Sequence, residues 1–151
     1  MNELLQNHVI VPWDFSDSSV AALRYAISAV DSTDRIEVVH VTPGPTAVEP
    51  GIVWGDLSEA TITGNINRHF EKTLTELGLP KVKFTVLFGD PGSRIAEIAA
   101  ERNAGIVVVS THGRTGLSRL LLGSVAERIV RLSPCPVLVL RDAVSASGSG
   151  Q

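Results

Sequence analysis

Short apolar runs alternate with longer stretches in which apolar residues recur every three or four positions. The runs are residues 8–13 (HVIVPW), 36–41 (IEVVHV), 82–88 (VKFTVLF), 106–110 (IVVVS) and 136–140 (PVLVL). Rich in Val and Ile and bounded by Gly, Pro, Asp or Ser, they read as strands covered on both faces. Residues 82–88 alternate through Lys83 and Thr85, which suits an edge strand. Helical spacing places Val20, Leu23, Ile27 and Val30 on one face over residues 17–30, with Ser16 as N-cap. A longer helix is predicted over 57–77, with the stripe Ile62, Ile66, Phe70, Leu74 and Leu77. Asp56 with Glu59 forms its predicted capping box and Gly78 its stop. A third starts at Asp90-Pro91 and turns Ile95, Ile98 and Ala99 inward. A fourth starts at Ser124, with Glu127 completing a capping box and Val125, Ile129 and Leu132 facing the core.

Strict alternation of strand and helix predicts an α/β fold: one doubly wound, five-stranded parallel sheet with right-handed crossovers and helices on both faces. Residues 42–55, with three prolines and three glycines, read as a mobile surface loop, and residues 142–151 as a flexible C-terminal tail. One domain over residues 1–141 is expected, with neither repeat nor second domain.

Composition narrows the chemistry. The 151 residues, 44% hydrophobic and 19% charged, are enough for a core without metal or disulfide. The single cysteine, Cys135, excludes an internal disulfide framework and a multi-cysteine zinc site, and reads as a small buried residue. The formal charge of −3 and dispersed Lys and Arg show no footprint for nucleic acid. No run has the roughly 20 apolar residues of a membrane helix, and no signal-peptide pattern opens the chain, so the expectation is a cytoplasmic protein. Four histidines lack metal-ligand spacing, so no metal site is assigned.

In such a sheet ligands bind beyond the carboxyl ends of the strands, where the winding reverses. The loop after strand 4, residues 111–124, holds Gly113, Gly116 and Gly123 and runs into a helix start at Ser124. It reads either as an anion cradle of backbone amides, a hydroxyl and a helix dipole, or as a surface turn with an ordinary cap. The loop after strand 1 brings Pro12, Trp13 and Asp14; the carboxylate either accepts from a ribose or an amine, or supports the turn. Backbone at Val41, ending strand 2, is placed to bond a base edge. No G-x-x-x-x-G-K-[ST], G-x-S-x-G or G-x-G-x-x-G motif occurs where it would need to be. His112 beside Ser110 and Thr111 has no orienting acid near it in sequence, so no catalytic residue is assigned.

Residues 107–140, VVVSTHGRTGLSRLLLGSVAERIVRLSPCPVLVL, resemble the C-terminal signature of the universal stress protein family, and VIVPWDFSDSSVAALRYA resembles its first strand and helix. The resemblance spans nearly the whole domain. It implies strand order 3-2-1-4-5, the adenine nucleotide alpha hydrolase-like arrangement. The family's nucleotide-binding pattern Gly-x2-Gly-x9-Gly-Ser/Thr is matched at Gly113, Gly123 and Ser124, while Ser110 stands at the first glycine. The resemblance further implies adenine or ribose contacts from Asp14 and Val41. Phosphates would be surrounded by Gly113, Arg114, Gly123, Ser124 and the Val125 amide, with His112 and Gly116 in the same loop. It thus implies a homodimeric stress-response module that binds ATP, or ADP or AMP, with any Mg or Mn held by the phosphates. Pairing of strand 5, Val137–Leu140, would make the dimer. The alternatives are a nucleotide-free dimeric interaction protein of the same fold, and a slow ATPase.

Overall fold

The computed structural model describes residues 3–44, 58–111 and 122–141. Five parallel strands, β1 (Val9–Pro12), β2 (Ile36–Thr42), β3 (Lys83–Phe88), β4 (Ile106–Ser110) and β5 (Val137–Leu140), form one sheet in the order β3-β2-β1-β4-β5. Four helices connect them: α1 (Asp17–Ala29), α2 (Glu59–Leu77), α3 (Pro91–Glu101) and α4 (Ser124–Leu132). The sheet is the one expected, and residues 83–88 do lie at an edge.

Strand alternation divides the core into two layers. Val9, Val11, Ile36, Val38, Ile106 and Val108 pack with Leu23 of α1 and Phe70 of α2 on one face. Ile10, Val39, Val107 and Val109 pack with Ile95 and Ile98 of α3 and Ile129 of α4 on the other. Phe70 stacks on Phe84 of β3 at 3.9 Å, tying α2 to that edge.

The helix starts show where local pattern and structure part. Ser16 and Asp90 cap α1 and α3 as expected, each accepting a bond from the amide three residues on. Helix α2 is capped by Ser58, which accepts from the Thr61 amide, rather than by Asp56, which lies outside the described residues. Gly78 ends that helix at φ 69°, a left-handed turn natural to glycine. The N-cap of α4 is Gly123, not Ser124, and no side chain caps it. Ser124 is already helical, so the Ser124–Glu127 capping box does not form; Glu127 instead pairs with Arg131 at 2.8 Å. That register turns Ala126 and Ile129 inward and leaves Val125 and Leu132 each 42% exposed, correcting the expected face. Cys135 is half-buried against the α3/α4 layer rather than fully enclosed. The proposed 42–55 loop beyond Gly44 and the tail 142–151 lie outside the described residues.

One buried carboxylate crosses the amino-terminal end of the sheet. Glu37 on β2 is fully buried. The Arg102 Nε and Nη2 donate to its two oxygens at 2.9 and 3.2 Å, and the Thr85 hydroxyl donates at 2.5 Å. His8 Nε2 lies 2.8 Å and Lys83 Nζ 3.8 Å from Oε1. β1, β2, β3 and the C-terminus of α3 are thus joined through one side chain. Burial pushes the Glu37 carboxyl up; the bonds from Arg102, Thr85 and His8, with the charge of Lys83, outweigh it and bring the pKa down to about 2.

A folded pKa below the unfolded one means stability held above the unfolded value and lost as pH falls through the folded one. Glu37 falls from 4.5 to about 2, a contribution of roughly 3 kcal/mol at neutral pH. Glu37→Gln is expected to lower unfolding free energy at pH 7 by about 3 kcal/mol, since it leaves Arg102 unpaired. Urea titrations should show wild type losing its advantage as pH falls from 4.5 toward 2. A variant as stable as wild type at pH 7 contradicts the clasp.

Candidate functional site

β1 pairs with β2 over four residues, Val9–Pro12 against Ile36–Val39, and the Trp13 amide extends the ladder to the Val39 carbonyl at 2.9 Å. With β4 it pairs only at Val9–Ile106 and Ile10–Val107. Beyond those two rungs β1 and β4 separate. Neighbours that wind in opposite directions must part at their carboxyl ends, and a crevice opens there.

The crevice is a cleft of about 190 Å³. Its apolar lining is Pro12, Val39 and Val41 from β1 and β2, Pro91 and Ile95 from α3, and Val109 from β4. Its polar lining is Asp14, Ser19, Ser110, Thr111 and Ser124. Trp13, Gly123, Val125 and Ala126 complete it. Of the residues singled out in the sequence, Pro12, Trp13, Asp14, Val41, Ser110, Gly123, Ser124 and Val125 therefore meet in one place. His112, Gly113, Arg114 and Gly116 lie outside the described residues. The sequence reading missed Ser19, Val39, Pro91, Ile95, Val109, Thr111 and Ala126 as lining. Val39, Ile95 and Val109 looked like core and Pro91 like an ordinary helix start, and only their nearness to strand or helix ends at the switch point marks them.

Asp14 supports its turn, accepting from the Ser16 amide at 3.0 Å, while also lining the cleft. The two alternatives read from the sequence are thus compatible. Buried Ser19 donates its hydroxyl to the Ser16 carbonyl at 2.9 Å, which fixes the start of α1 under that turn. On the β4 side, the Thr111 amide donates to the Leu140 carbonyl at 2.9 Å and the Gly123 amide to the Thr111 carbonyl at 2.7 Å. The second bond closes the ends of the segment after β4 against each other and seats α4 at the mouth. The first intrahelical bond of α4 runs from the Glu127 amide to the Gly123 carbonyl at 2.9 Å. The amides of Ser124, Val125 and Ala126 precede it and form the positive end of the helix dipole, with no side-chain cap across them. The site therefore joins an apolar slot, one carboxylate, three hydroxyls beside Ser19, and an open helix start.

Among the described residues no group of three His, Cys, Asp or Glu could hold a metal ion, and no helix is long and apolar enough to cross a membrane.

Comparison with known proteins agrees with this geometry. The model of the universal stress protein family matches residues 6–141. A universal stress protein of Methanocaldococcus jannaschii is 35% identical over 145 residues, covering 92% of this chain and 84% of the relative. Among solved structures, a universal stress protein in complex with cAMP superposes with TM-score 0.56 at 24% identity, covering 89% of this chain and 95% of that one. A universal stress protein family protein of Arabidopsis thaliana with AMP bound superposes with TM-score 0.55 at 17% identity, covering 95% and 97%.

The helix that offers the open amides is held in place from α3. Arg128 of α4 donates through Nε to Asp90 at 3.0 Å and through Nη2 to the Ser93 hydroxyl at 3.3 Å, and its stem lies across buried Gly92. A Cβ on Gly92 would come within 2.7 Å of the Arg128 Cβ, Cγ and Cδ. Alanine ordinarily improves a helix over glycine. Here the clash reverses the sign, because the Arg128 Cβ cannot swing aside. Gly92→Ala is expected to destabilise the fold by about 1–3 kcal/mol, the usual cost of overpacking. Thermal unfolding checks it; a higher Tm would mean that α3 and α4 separate freely.

Proposed function

The chain belongs to the universal stress protein family, and from that membership and the cleft between β1 and β4 we infer that it binds an adenine nucleotide as a regulatory module. The carrying observation is the side-chain-free start of α4 opposite Asp14, across an apolar slot. A purine fits the slot between Val39, Val41, Val109 and Ile95. Asp14 accepts from a ribose hydroxyl or an exocyclic amine. The amides of Ser124, Val125 and Ala126 and the Ser124 hydroxyl take the phosphates, which the dipole favours. By the family resemblance Arg114, His112, Gly113 and Gly116, outside the described residues, would join the phosphate end. Relatives bound to cAMP and to AMP support this class of ligand; ATP, ADP and AMP share the same base and first phosphate. Mg or Mn would be held by phosphate oxygens and water, since Asp14 is the one carboxylate among the described lining residues.

Occupancy, rather than turnover, is the function this site supports. Its described lining holds donors for phosphates, its one carboxylate, Asp14, is engaged with the Ser16 amide, and His112, the one candidate base read from the sequence, lies outside the described residues. Ser110 stands where a glycine would give the ribose closest access. It is half-buried in the cleft wall and paired with Leu140 on the backbone.

The bare cap gives a direct test. Gly123 has φ −61° and ψ 156°, an extended conformation open to any residue. Gly123→Asp would place a carboxylate over the same amides, capping the helix and repelling phosphate. Calorimetry with ATP and AMP should show binding to wild type and at least a tenfold loss in the variant, on the scale of one charge-assisted bond. The Tm of the free variant should be unchanged or higher. A wild type that takes up neither nucleotide at millimolar concentration would favour the nucleotide-free reading.

We also propose a homodimer through β5. This strand is at a sheet edge, and its four residues, all apolar, are only half-buried. The Val107 amide bonds the Pro136 carbonyl and the Thr111 amide the Leu140 carbonyl, so alternation turns the backbone groups of Val137 and Val139 to the open edge. The Val139 side chain packs on the α3/α4 layer, so Val139→Lys would strain the fold rather than probe the edge. Val139→Pro removes one edge donor instead. Light scattering should give twice the 16.1 kDa chain mass for wild type and a shift toward monomer for the variant. A wild type that is monomeric at every concentration would exclude this interface.

A further inference from the structure

Between Asp14 and Ser16 the chain passes through a conformation that a bulky residue rarely adopts. Phe15 has φ +65°, in the left-handed region. Such a backbone persists only where its surroundings over-determine it. Three rings surround Phe15. His69 of α2 stacks on it nearly parallel, at 4.4 Å and 18°. His40 of β2 meets it edge-on at 5.3 Å and 67°, and Trp13 at 5.7 Å and 75°. His40 is itself fixed, its Nδ1 lying 2.8 Å from the Trp13 carbonyl, to which it can donate. Trp13 and His40 belong to the sheet and its first turn. His69 comes from a different layer, is exposed, and is not part of the cleft lining.

The backbone of Phe15 decides where Asp14 stands. The Asp14 carboxylate reaches over Phe15 to the Ser16 amide at 3.0 Å, and Ser16 caps α1. If Phe15 relaxed to an ordinary φ, that short bridge would break and the carboxylate would leave its place in the cleft. A ring stacked on Phe15 from outside stabilises the strained arrangement without touching a ligand.

We propose that His69 is a positioning residue for the nucleotide cleft: by stacking on Phe15 from α2 it holds the left-handed turn that presents Asp14. The proposal rests on the nucleotide reading of the cleft. It makes α2 a partner in ligand binding, although Glu59–Leu77 contributes no lining residue to the cleft.

The test uses the full chain, with AMP as probe, and two readouts: affinity by calorimetry, and hydrogen exchange of the Ser16 amide in ligand-free protein. His69→Ala should weaken AMP binding roughly three- to tenfold, the scale of one aromatic pair, and speed Ser16 exchange by a similar factor. His69→Phe keeps a stacking ring and should restore both to within about twofold. In a Phe15→Gly background, where glycine takes the left-handed turn without strain, His69→Ala should change affinity by less than about twofold. His69→Ala indistinguishable from wild type in both readouts overturns the role of His69 while leaving the nucleotide reading intact. An equal loss in the Phe15→Gly background also overturns it, since His69 would then act by another route. A wild type that binds no AMP overturns the reading of the cleft, and the binding role of His69 falls with it.

Discussion

The two-rung pairing of β1 with β4 is the constraint on which the rest of the molecule depends. Four rungs join β1 to β2, but only Val9–Ile106 and Ile10–Val107 join it to β4. The crossovers leave β1 through α1 and β4 through α4 in opposite directions along the sheet, so the carboxyl ends of the two strands part above those rungs. What fills the gap is the loop carrying Asp14 from one side and the start of α4 from the other. The apolar slot is therefore the upper end of the core left uncovered. Val39, Val109 and Ile95 serve both, packing the α3/α4 layer below and lining the cleft above.

A sheet opened at one end must be held at the other. Glu37 does this at the amino-terminal ends of the strands, where Arg102 reaches back from the end of α3 and Thr85 and His8 from the flanking strands. An ionised side chain is expensive to bury, and this one is tolerated because five contacts from four residues meet its two oxygens. The polar investment at that end is inward and satisfied. At the carboxyl end it is directed into the cleft. α3 connects the two: its C-terminus holds Glu37 through Arg102, and its N-terminus holds α4 through Asp90 and Gly92.

Much of this was legible in the order of apolar runs. Val- and Ile-rich strands separated by periodic helices leave one fold class, and Asp90-Pro91, Ser16 and Gly78 marked helix ends because their signals are local. The family resemblance added the strand order and the register of the glycine pattern from Ser110 to Ser124, on a loop its own glycines had already marked. What escaped was non-local. Glu37 reads as one charge within an apolar strand; its partners His8, Thr85 and Arg102 are 29, 48 and 65 residues away. The Ser124–Glu127 pattern is a good capping signal that the structure declines, because the Glu127 amide donates to the Gly123 carbonyl and the Glu127 carboxylate pairs with Arg131. One residue of register then decides that Ala126, not Val125, enters the core. Phe15 gave no hint of its left-handed turn, since two of the three rings that hold it, His40 and His69, come from β2 and α2.

The four helix starts differ in one respect that bears on the proposed site. α1, α2 and α3 each satisfy an early amide with a side chain, from Ser16, Ser58 and Asp90. α4 forgoes that bond, which is worth about 0.5–2 kcal/mol where a side-chain cap is replaced by alanine but only a few tenths against glycine. Glycine therefore keeps the amides open at little cost in stability, while any capping side chain there would occupy the space the proposed phosphate site needs. The same economy does not extend to Phe15, whose strain has to be offset by three rings. A glycine there would remove the strain and with it the rigidity of the turn, because glycine has many other conformations to visit. The two sides of the cleft thus solve opposite problems: at α4 the chain withholds a side chain to leave donors open, and at Phe15 it supplies one to keep an acceptor still.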